Sequence, residues 1–379
     1  MIERYLNYHT KTADSRWDRH SFATHWWDIY RDDPHWVPPY YPQFRQALEP
    51  GKNEYLKKLK PQLLQISAIA RQSCTRGESG NMQMGPGVIG MGMERAVAAA
   101  LLFCDPRRED RKAYLAELKS VNERESLNRL LYFAREKVQE LGCQGFIGPI
   151  GLAPHLGSGV LMDHWDLMPP LHTAYNPPYL PELLSRKMEP LEEANLYIIE
   201  VPEESYSSDG PARLSSLEPS RFRSDLLSLF KAGCLDWQQF PKPDLYETAF
   251  ILNWIAKWPL ITWLAMMDDE AVGFVILQPD LAPLLDQAGG GRNIFWRIWL
   301  NWRRRKPVQH GRILFGGVTE RWRGKGIGKQ LLQQALLTAK QQEWSQLSIG
   351  PIPENSNAGA FLRNQGSRAQ QHYQIFQWE

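Results

Sequence analysis

Six residues, Arg323-Gly324-Lys325-Gly326-Ile327-Gly328, place three glycines and two cations where chemistry is possible. They follow an apolar stretch that reads as a strand, Ile313 to Val318. They precede a pattern with Leu331, Leu332, Ala335, Leu336 and Ala339 at helical spacing. A strand that feeds a glycine-rich turn into a helix N-terminus makes an anion site. The backbone N–H groups point outward unpaired, and the helix dipole favours negative charge there by roughly 0.3–1 kcal/mol per interaction. Glycines let the backbone approach a phosphate with no side chain between them. The expected ligand is a diphosphate. A P-loop would need G-x-x-x-x-G-K-[ST], and a dinucleotide fold would need G-x-G-x-x-G with an acidic residue about 20 positions on; neither is present. The plainer reading of the same residues is an ordinary glycine turn at the start of a surface helix.

The segment beyond that helix separates the two readings. An apolar stretch, Leu347-Ser348-Ile349-Gly350, leads to Asn355-Ser-Asn-Ala358-Gly-Ala-Phe361-Leu362-Arg-Asn-Gln-Gly366, and His372 to Trp378 alternates like a closing strand. The Arg-x-x-Gly-x-Gly run resembles the acyl-CoA pyrophosphate loop of the GNAT superfamily of N-acetyltransferases. The second segment resembles that superfamily's other signature, an Asn before a short Ala-containing helix that ends in Gly. By this resemblance, which covers residues 210–379, Gly317, Val318, Arg323, Gly324, Lys325, Gly326, Ile327, Gly328 and Lys329 bind acetyl-CoA or another acyl-CoA as co-substrate. Asn355 would cap the short helix and lie beside the pantetheine arm. The implied activity is transfer of an acyl group, most simply N-acetylation, to an acceptor that is a small molecule, a lipid-like amine or a peptide. The alternative is a non-catalytic acyl-CoA-binding or scaffold protein with the same fold.

The catalytic residues are unknown from the sequence. An amine acceptor must be deprotonated and a tetrahedral oxyanion stabilised. In the family the thioester carbonyl lies near backbone N–H groups of a bulged strand, here around Gly317-Val318, and an acid on that strand often serves as base. This chain has Gly316 and Gly317 there, and Glu320 just beyond reads as a solvated surface residue. Where many members carry a Tyr that protonates the departing thiolate, Leu362 stands. Tyr373 and His310 are substitutes, each with a structural reading as well. His155, His164 and His172, near Asp163 and Asp166, match no standard ligand spacing, so no metal is expected. Their proline- and glycine-rich segment is instead a candidate wall for an acceptor cleft.

Those residues need a scaffold. The chain has 379 residues, 43% of them hydrophobic and 23% charged, enough for two cores. A net charge of +2 gives no bulk attraction for nucleic acid. Four cysteines, Cys74, Cys104, Cys143 and Cys234, lack metal-like spacing and read as thiols in a reducing compartment. The first residues lack a signal-peptide core, and the longest apolar run, Val88 to Cys104, is broken by Glu94-Arg95, so a cytoplasmic protein is expected.

In the first half the patterns predict helices at 22–30, 125–142 and, started by prolines, in 175–185, with strands at 95–103, 113–118, 145–150 and 195–201. Residues 77–87 read as a glycine-rich loop. The second half repeats this order, with helices at 220–230 and 245–257 and a hairpin at 260–277 before the diphosphate-loop strand. The fold class is therefore α/β (α+β): two GNAT-like domains, 1–205 and 206–379, each a mixed, mostly antiparallel sheet flanked by helices. The linker lies near 202–211. The first copy has Lys119-Ser-Val-Asn-Glu-Arg-Glu where the second has its glycines, and two glutamates there compete with a phosphate. That copy reads as degenerate. The whole chain resembles bacterial tandem GNAT-like proteins, which share its Arg31-Asp-Asp-Pro-His-Trp-Val-Pro-Pro and Tyr175-Asn-Pro-Pro-Tyr segments. An insert at 279–307 carries Ile294, Trp296, Ile298 and Trp302 before Arg303-Arg-Arg-Lys306. It has three readings: a helix packed into a seam, a lid over the acceptor site, or a helix lying on a membrane surface. Fifteen tryptophans fill cores and seams, or line a wide apolar groove.

Overall fold

In the computed structural model the ordered patterns of both halves build one sheet. The structure describes residues 5–30, 32–49, 51–70, 94–203, 207–217, 226–227, 229–230, 232 and 237–379. Expectations for Cys74, Cys234, the 77–87 loop and most of the 220–230 helix lie outside those residues. The strands are β1 (Tyr5–Thr12), β2 (Gln62–Ala70), β3 (Glu94–Cys104), β4 (Lys112–Ser120), β5 (Gly145–Ile150), β6 (Val160–Leu161), β7 (Glu189–Glu200), β8 (Arg213–Ser216), β9 (Ile261–Met267), β10 (Glu270–Pro279), β11 (His310–Val318), β12 (Gln346–Pro353) and β13 (Arg368–Trp378). The helices are α1 (Arg16–Phe22), α2 (His25–Ile29), α3 (Tyr41–Ala47), α4 (Glu54–Leu59), α5 (Arg124–Glu140), α6 (Tyr179–Ser185), α7 (Leu245–Ile255), α8 (Ala282–Gln287), α9 (Ile294–Arg303), α10 (Ile327–Gln341) and α11 (Asn357–Asn364). None is long and apolar enough, among the described residues, to cross a membrane.

The sheet order is β1-β2-β3-β4-β5-β13-β7-β12-β11-β10-β9-β8, with β6 pairing beside β13. The two halves therefore share one sheet, where the sequence predicted one for each. They also exchange their last strands. β7, the last strand of the first half, pairs with β12, and β13, the last of the second, pairs with β5. β7 and β13 are antiparallel to each other at the centre. Such a strand is buried on both faces, and the sequence shows it: Ala194 to Ile199 is one unbroken buried run. β4–β5 and β11–β12 are the two parallel pairs. The duplication is visible in the repeat Ile147-Gly-Pro-Ile150 on β5 and Ile349-Gly-Pro-Ile352 on β12, a direct sequence signal that the element order alone did not expose.

α5 and α10 lie on one face. Helical spacing predicts one apolar face of Leu127, Leu130, Leu131, Phe133, Ala134, Val138 and Leu141; α5 buries all of it but Phe133, which is half-buried, and Leu141, which is exposed beyond the helix end. On the opposite face a single core joins both halves, from Trp26, Phe44 and Phe103 to Phe274, Phe315 and Ile375. Arg107 adds a buried polar tie, bridging Asp105 to Glu247 of α7 at 2.7 Å. Desolvation pushes the Glu247 carboxyl up to about 7 despite that guanidinium.

Three expectations change. The helix predicted at 22–30 is two short helices broken at Ala23 and Thr24, because Ser15 caps the first with a capping box before the apolar run begins. Cys104 and Cys143 are joined as a disulfide, not held as thiols; β4 pairs with β3 at one edge and β5 at the other, which brings the end of β3 close to the start of β5. The insert helix α9 is not packed into a seam, since Ile294, Ile298 and Trp302 face solvent and Leu300 alone of its residues is buried.

With β7 and β13 exchanged, the halves should unfold together. Ile375, fully buried on β13, contacts the core common to both. Ile375→Ala should cost about 2–5 kcal/mol and lower one shared transition, followed by far-ultraviolet dichroism and tryptophan fluorescence in urea. Two separate transitions, with only one moved, would contradict the shared core.

Candidate functional site

The glycine run folds as its spacing predicts. After β11 a 3-10 turn at Glu320–Trp322 leads into Arg323, and α10 starts at Ile327 with Gly326 as its N-cap in a left-handed conformation (φ 86°). No side chain caps this helix. The first intrahelical bond is Gln330 N–H to Gly326 C=O at 3.0 Å, so the amides of Ile327, Gly328 and Lys329 have no partner within the helix. A Cβ on Gly324 would meet nothing within 4 Å, whereas one on Gly328 would touch only Phe361 and Val318, at 3.9–4.0 Å. The loop is thus open on its outer side and faces a cleft on its inner side. Arg323 Nε donates to the Val318 carbonyl at 3.1 Å, tying the loop to the strand end. Lys325 lies 4.2 Å from the Trp322 ring centroid, a cation–π contact that holds it beside the loop.

The cleft exists because two strands part. β11 and β12 pair from His310–Gln346 to Ile313–Ile349 and then diverge. Beyond that point a cleft of about 720 Å³ opens between them. It runs from Arg323 and Gly328, past Gly316, Val318 and Phe361, to His155, His172 and Arg312. β11 also carries an extra residue, Leu314, against β10, since Ile276 pairs with Phe315 but Leu277 with Ile313. The bulge of the strand sits at Leu314. Thr319 N–H donates to Val272 C=O of β10 at 2.8 Å. Antiparallel ladders alternate, so the amides of Gly316 and Val318 point the other way, into the cleft.

The remaining expected residues divide. Ser356, not Asn355, caps α11: its hydroxyl accepts from Gly359 N–H at 3.0 Å, because its own position has the extended backbone a cap requires. Asn355 is exposed, and Asn357 and Ala358 line the cleft in its place. Leu362 lines the wall. The Tyr373 hydroxyl is buried against Ala174 C=O and Gln371. His310 Nδ1 lies 3.2 Å from the Ser345 hydroxyl, outside the cleft lining. Glu320 is exposed. Among the described residues no group of three or more His, Cys, Asp or Glu side chains could hold a metal ion. Asp163 instead accepts from His372 N–H at 2.8 Å.

Sequence reading missed the polar cluster at the closed end. Arg312 is buried where the strands part; its guanidinium donates to Thr173 and to the Gly350 carbonyl, and its Nε has no partner among the described residues. Burial pulls its pKa down to about 10, opposed by the charge of Asp280. Burial first, then the Arg312 charge, pull His172 down to about 3, so its ring is neutral. Burial pushes Asp280 up, opposed by hydrogen bonds from Leu171 and Ala282 N–H at 3.0 and 3.1 Å. One sequence signal was available: Arg312 is a charge inside the otherwise apolar run of β11.

Comparisons with known proteins agree with this geometry. Residues 227–366 match the acetyltransferase (GNAT) family model. The match lies within the second half of the chain. Along its whole length the chain has the fold of a tandem GNAT protein from the clavulanic acid biosynthesis pathway, at 12% identity, a TM-score of 0.55 and 98% coverage of both chains. A conserved Enterococcus faecalis protein described as a probable N-acyltransferase aligns with a TM-score of 0.54 at 7% identity, over 98% of this chain and 72% of that one. A fungal multi-domain β-N-acetylglucosaminidase with a GNAT glucosamine N-acetyltransferase region also gives 0.54, at 13% identity, over 98% of this chain and 38% of that one. No functionally curated protein matches the sequence. The family whose model matches residues 227–366 uses an acyl-CoA co-substrate.

The neutral His172 makes acid stability a test of this cluster. Its folded pKa is depressed, so between about pH 6.5 and about 3 the unfolded chain binds a proton that the folded chain does not, and stability falls as pH drops. His172→Gln should flatten the dependence of unfolding free energy on pH in this window by up to about 1.4 kcal/mol per pH unit. Urea unfolding at pH 4.5, 5.5 and 7.5 measures it. An unchanged slope would mean that His172 protonates freely in the folded protein.

Proposed function

We propose that the chain transfers an acyl group from acyl-CoA to an acceptor amine, with the thioester held between β11 and β12. The observation that carries this reading is the meeting of an uncapped, glycine-rich helix start with a cleft whose floor is an unpaired strand edge. Arg323, Lys325 and Lys329, with the amides of Ile327 to Lys329, suit a diphosphate. The free edge at Gly316 and Val318 suits the amides of an extended arm, which would pair as an added strand. Phe361 and Asn357 of α11 face that arm. Acetyl and longer acyl groups remain alternatives, as do small-molecule, lipid-like and peptide amines.

In the reaction the amine nitrogen attacks the thioester carbon, the C–N bond forms and the C–S bond breaks. The nitrogen loses a proton and the leaving thiolate gains one. Whichever of the Gly316 and Val318 edge amides the arm leaves unpaired is the donor for the oxyanion, and Arg312 supplies positive charge toward the closed end. His155 and His172, from the first half, line that end, so residues 1–205 shape the acceptor side and residues 206–379 hold the acyl donor. The first half has its own helix start at α5, where Glu123 occupies the N-cap and accepts from Tyr8 and Ser126. A carboxylate there repels phosphate, which leaves one diphosphate site. A non-catalytic acyl-CoA binder is the second reading, favoured by a described cleft lining without Asp, Glu, Tyr or Cys.

Gly328 offers a cleaner test than Gly326, whose left-handed φ of 86° would strain any side chain. Gly328→Glu keeps a helical residue and directs a carboxylate into the diphosphate position. Calorimetry with acetyl-CoA and longer acyl-CoAs should show at least about tenfold weaker binding, about 1.4 kcal/mol, with an unchanged melting temperature. Absent wild-type binding, or equal binding by the variant, would sink the reading. Steady release of free thiol with one of a panel of amines then separates transfer from binding alone.

A further inference from the structure

A second cavity, of about 160 Å³, lies in the first half, where β4 and β5 part after Ala116–Ile150 as β11 and β12 do in the second. Two segments far apart in sequence converge on it: Trp36 to Tyr40, and Leu171 to Asn176. Tyr175 donates to Asp33 at 2.8 Å, joining the two. The cavity's walls are mostly apolar and aromatic, with Gln43, His172, Thr173 and Asn176 among them, and two charged groups, Glu117 and Lys119 of β4, also line it. Glu117 stands at a bulge in β4 with φ 52°, because Ala99 pairs with Lys119 while Leu101 pairs with Ala116. The backbone of Leu152 is its hydrogen-bonding neighbour. The Lys119 ammonium is 5.7 Å from the Tyr30 ring and makes no ion pair among the described residues. Burial drives both toward their neutral forms, Glu117 upward and Lys119 downward, each resisted by the other's charge.

Both side chains are partly buried, and among the described residues the opposite charge each feels is the other's; holding such groups away from water is costly. A ligand that brings an anion to the lysine and a cation to the glutamate relieves both costs at once. We propose that this cavity binds a small aliphatic amino acid as its zwitterion, with Lys119 on the carboxylate, Glu117 on the ammonium and Trp36, Tyr40 and Trp258 around the side chain. The volume is close to that of apolar cavities of about 150 Å³ that hold benzene, which suits a short aliphatic body. The site is separate from the diphosphate loop and does not depend on the acyl-transfer reading. It shares Leu156, Gly157 and His172 with the acyl-CoA cleft as a common wall.

Calorimetry on the full chain with L-valine, L-leucine, L-isoleucine and L-methionine tests it. At least one should bind saturably, with 3-methylbutylamine and 4-methylpentanoate, which each carry one of leucine's two charges, at least tenfold weaker. Glu117→Gln and Lys119→Met should each weaken binding at least tenfold, and Gly328→Glu should leave it unchanged. No saturable binding by the wild type, equal binding of a singly charged analogue, or binding that survives both cavity substitutions would overturn the proposal. The analogues decide the matter on the wild type even if a variant fails to fold.

A different observation concerns α9. Ile294, Phe295, Ile298 and Trp302 are 56%, 75%, 62% and 61% exposed, and their spacing puts them on one side of the helix. The orientation is fixed from behind: Leu300 is buried, Arg297 Nε donates to Gly291 C=O at 2.7 Å, and Arg304 donates to Lys257 C=O at 3.0 Å. Residues 287–319 contain seven Lys and Arg and no Asp or Glu, so the rest of the chain is net acidic. An outward apolar face bordered by Arg292, Arg305 and Lys306 complements an anionic bilayer surface. The geometry points to α9 as a helix that lies in the headgroup layer of such a membrane. Sedimentation with phosphatidylcholine vesicles containing 30% phosphatidylserine, an anionic surface, should capture the protein at low salt. Pure phosphatidylcholine, or the double variant Phe295→Asp and Ile298→Asp, should capture at least tenfold less. These side chains face solvent, so the variant keeps the fold. No capture of the wild type by anionic vesicles, or equal capture of the variant, would refute the assignment.

Discussion

The exchange of β7 and β13 at the middle of the sheet is the constraint on which the rest of the molecule depends. Each half supplies the strand that completes the other, so neither edge β5 nor edge β12 is left with unpaired backbone. The exchange also allows β11 and β12 to part. β12 can leave β11 after Ile349 because its other edge stays paired with β7 up to Pro353. An isolated second half would have to open its sheet with nothing to hold β12.

From that parting follows the division of work between the halves. The second half carries the glycine loop, and the strand edge at Gly316 and Val318 is exposed by the same divergence. The first half sends Pro154 to Ser158 and His172 across to the far end of the cleft. Its own strand pair parts as well, but there the gap is only a small cavity between aromatic side chains, Glu117 and Lys119, and its helix start is occupied by Glu123. One architecture thus presents two openings with opposite chemistry: an electropositive, amide-lined cleft and a small aromatic chamber.

Much of this was legible in the chain. Most strands and helices from 94 to 201 and from 245 to 378 emerge within a few residues of their observed bounds, because their periodicities are strong; β7 begins six residues before the predicted strand, and β6 and α8 did not emerge. The short elements did not emerge: β1, β2, α3 and α4 are brief or polar-interrupted segments whose stability comes from the partner they pack against. The loop Arg323–Gly328 could be read because glycines at a strand-to-helix turn have few other uses. The capping residue of α11 could not, since Asn355 and Ser356 are both good caps and only the backbone angles choose between them.

Residue types and spacing by themselves determined the family resemblance and the glycine loop at Arg323–Gly328, which rest on local patterns, and the doubling of the fold, which rests on the repeated order of elements. Tertiary structure alone decided which strand completes which half, because pairing between strands so far apart in the chain, such as Gln346 with Glu200 and Phe376 with Gly148, has no local signature. It also decided that Arg312, His172 and Asp280 form one buried cluster, and that Glu117 and Lys119 face a cavity. The direction in which α9 turns its apolar side belongs with these: periodicity fixes that a face exists, but only the packing of Leu300, Arg297 and Arg304 against neighbouring segments fixes which way it looks.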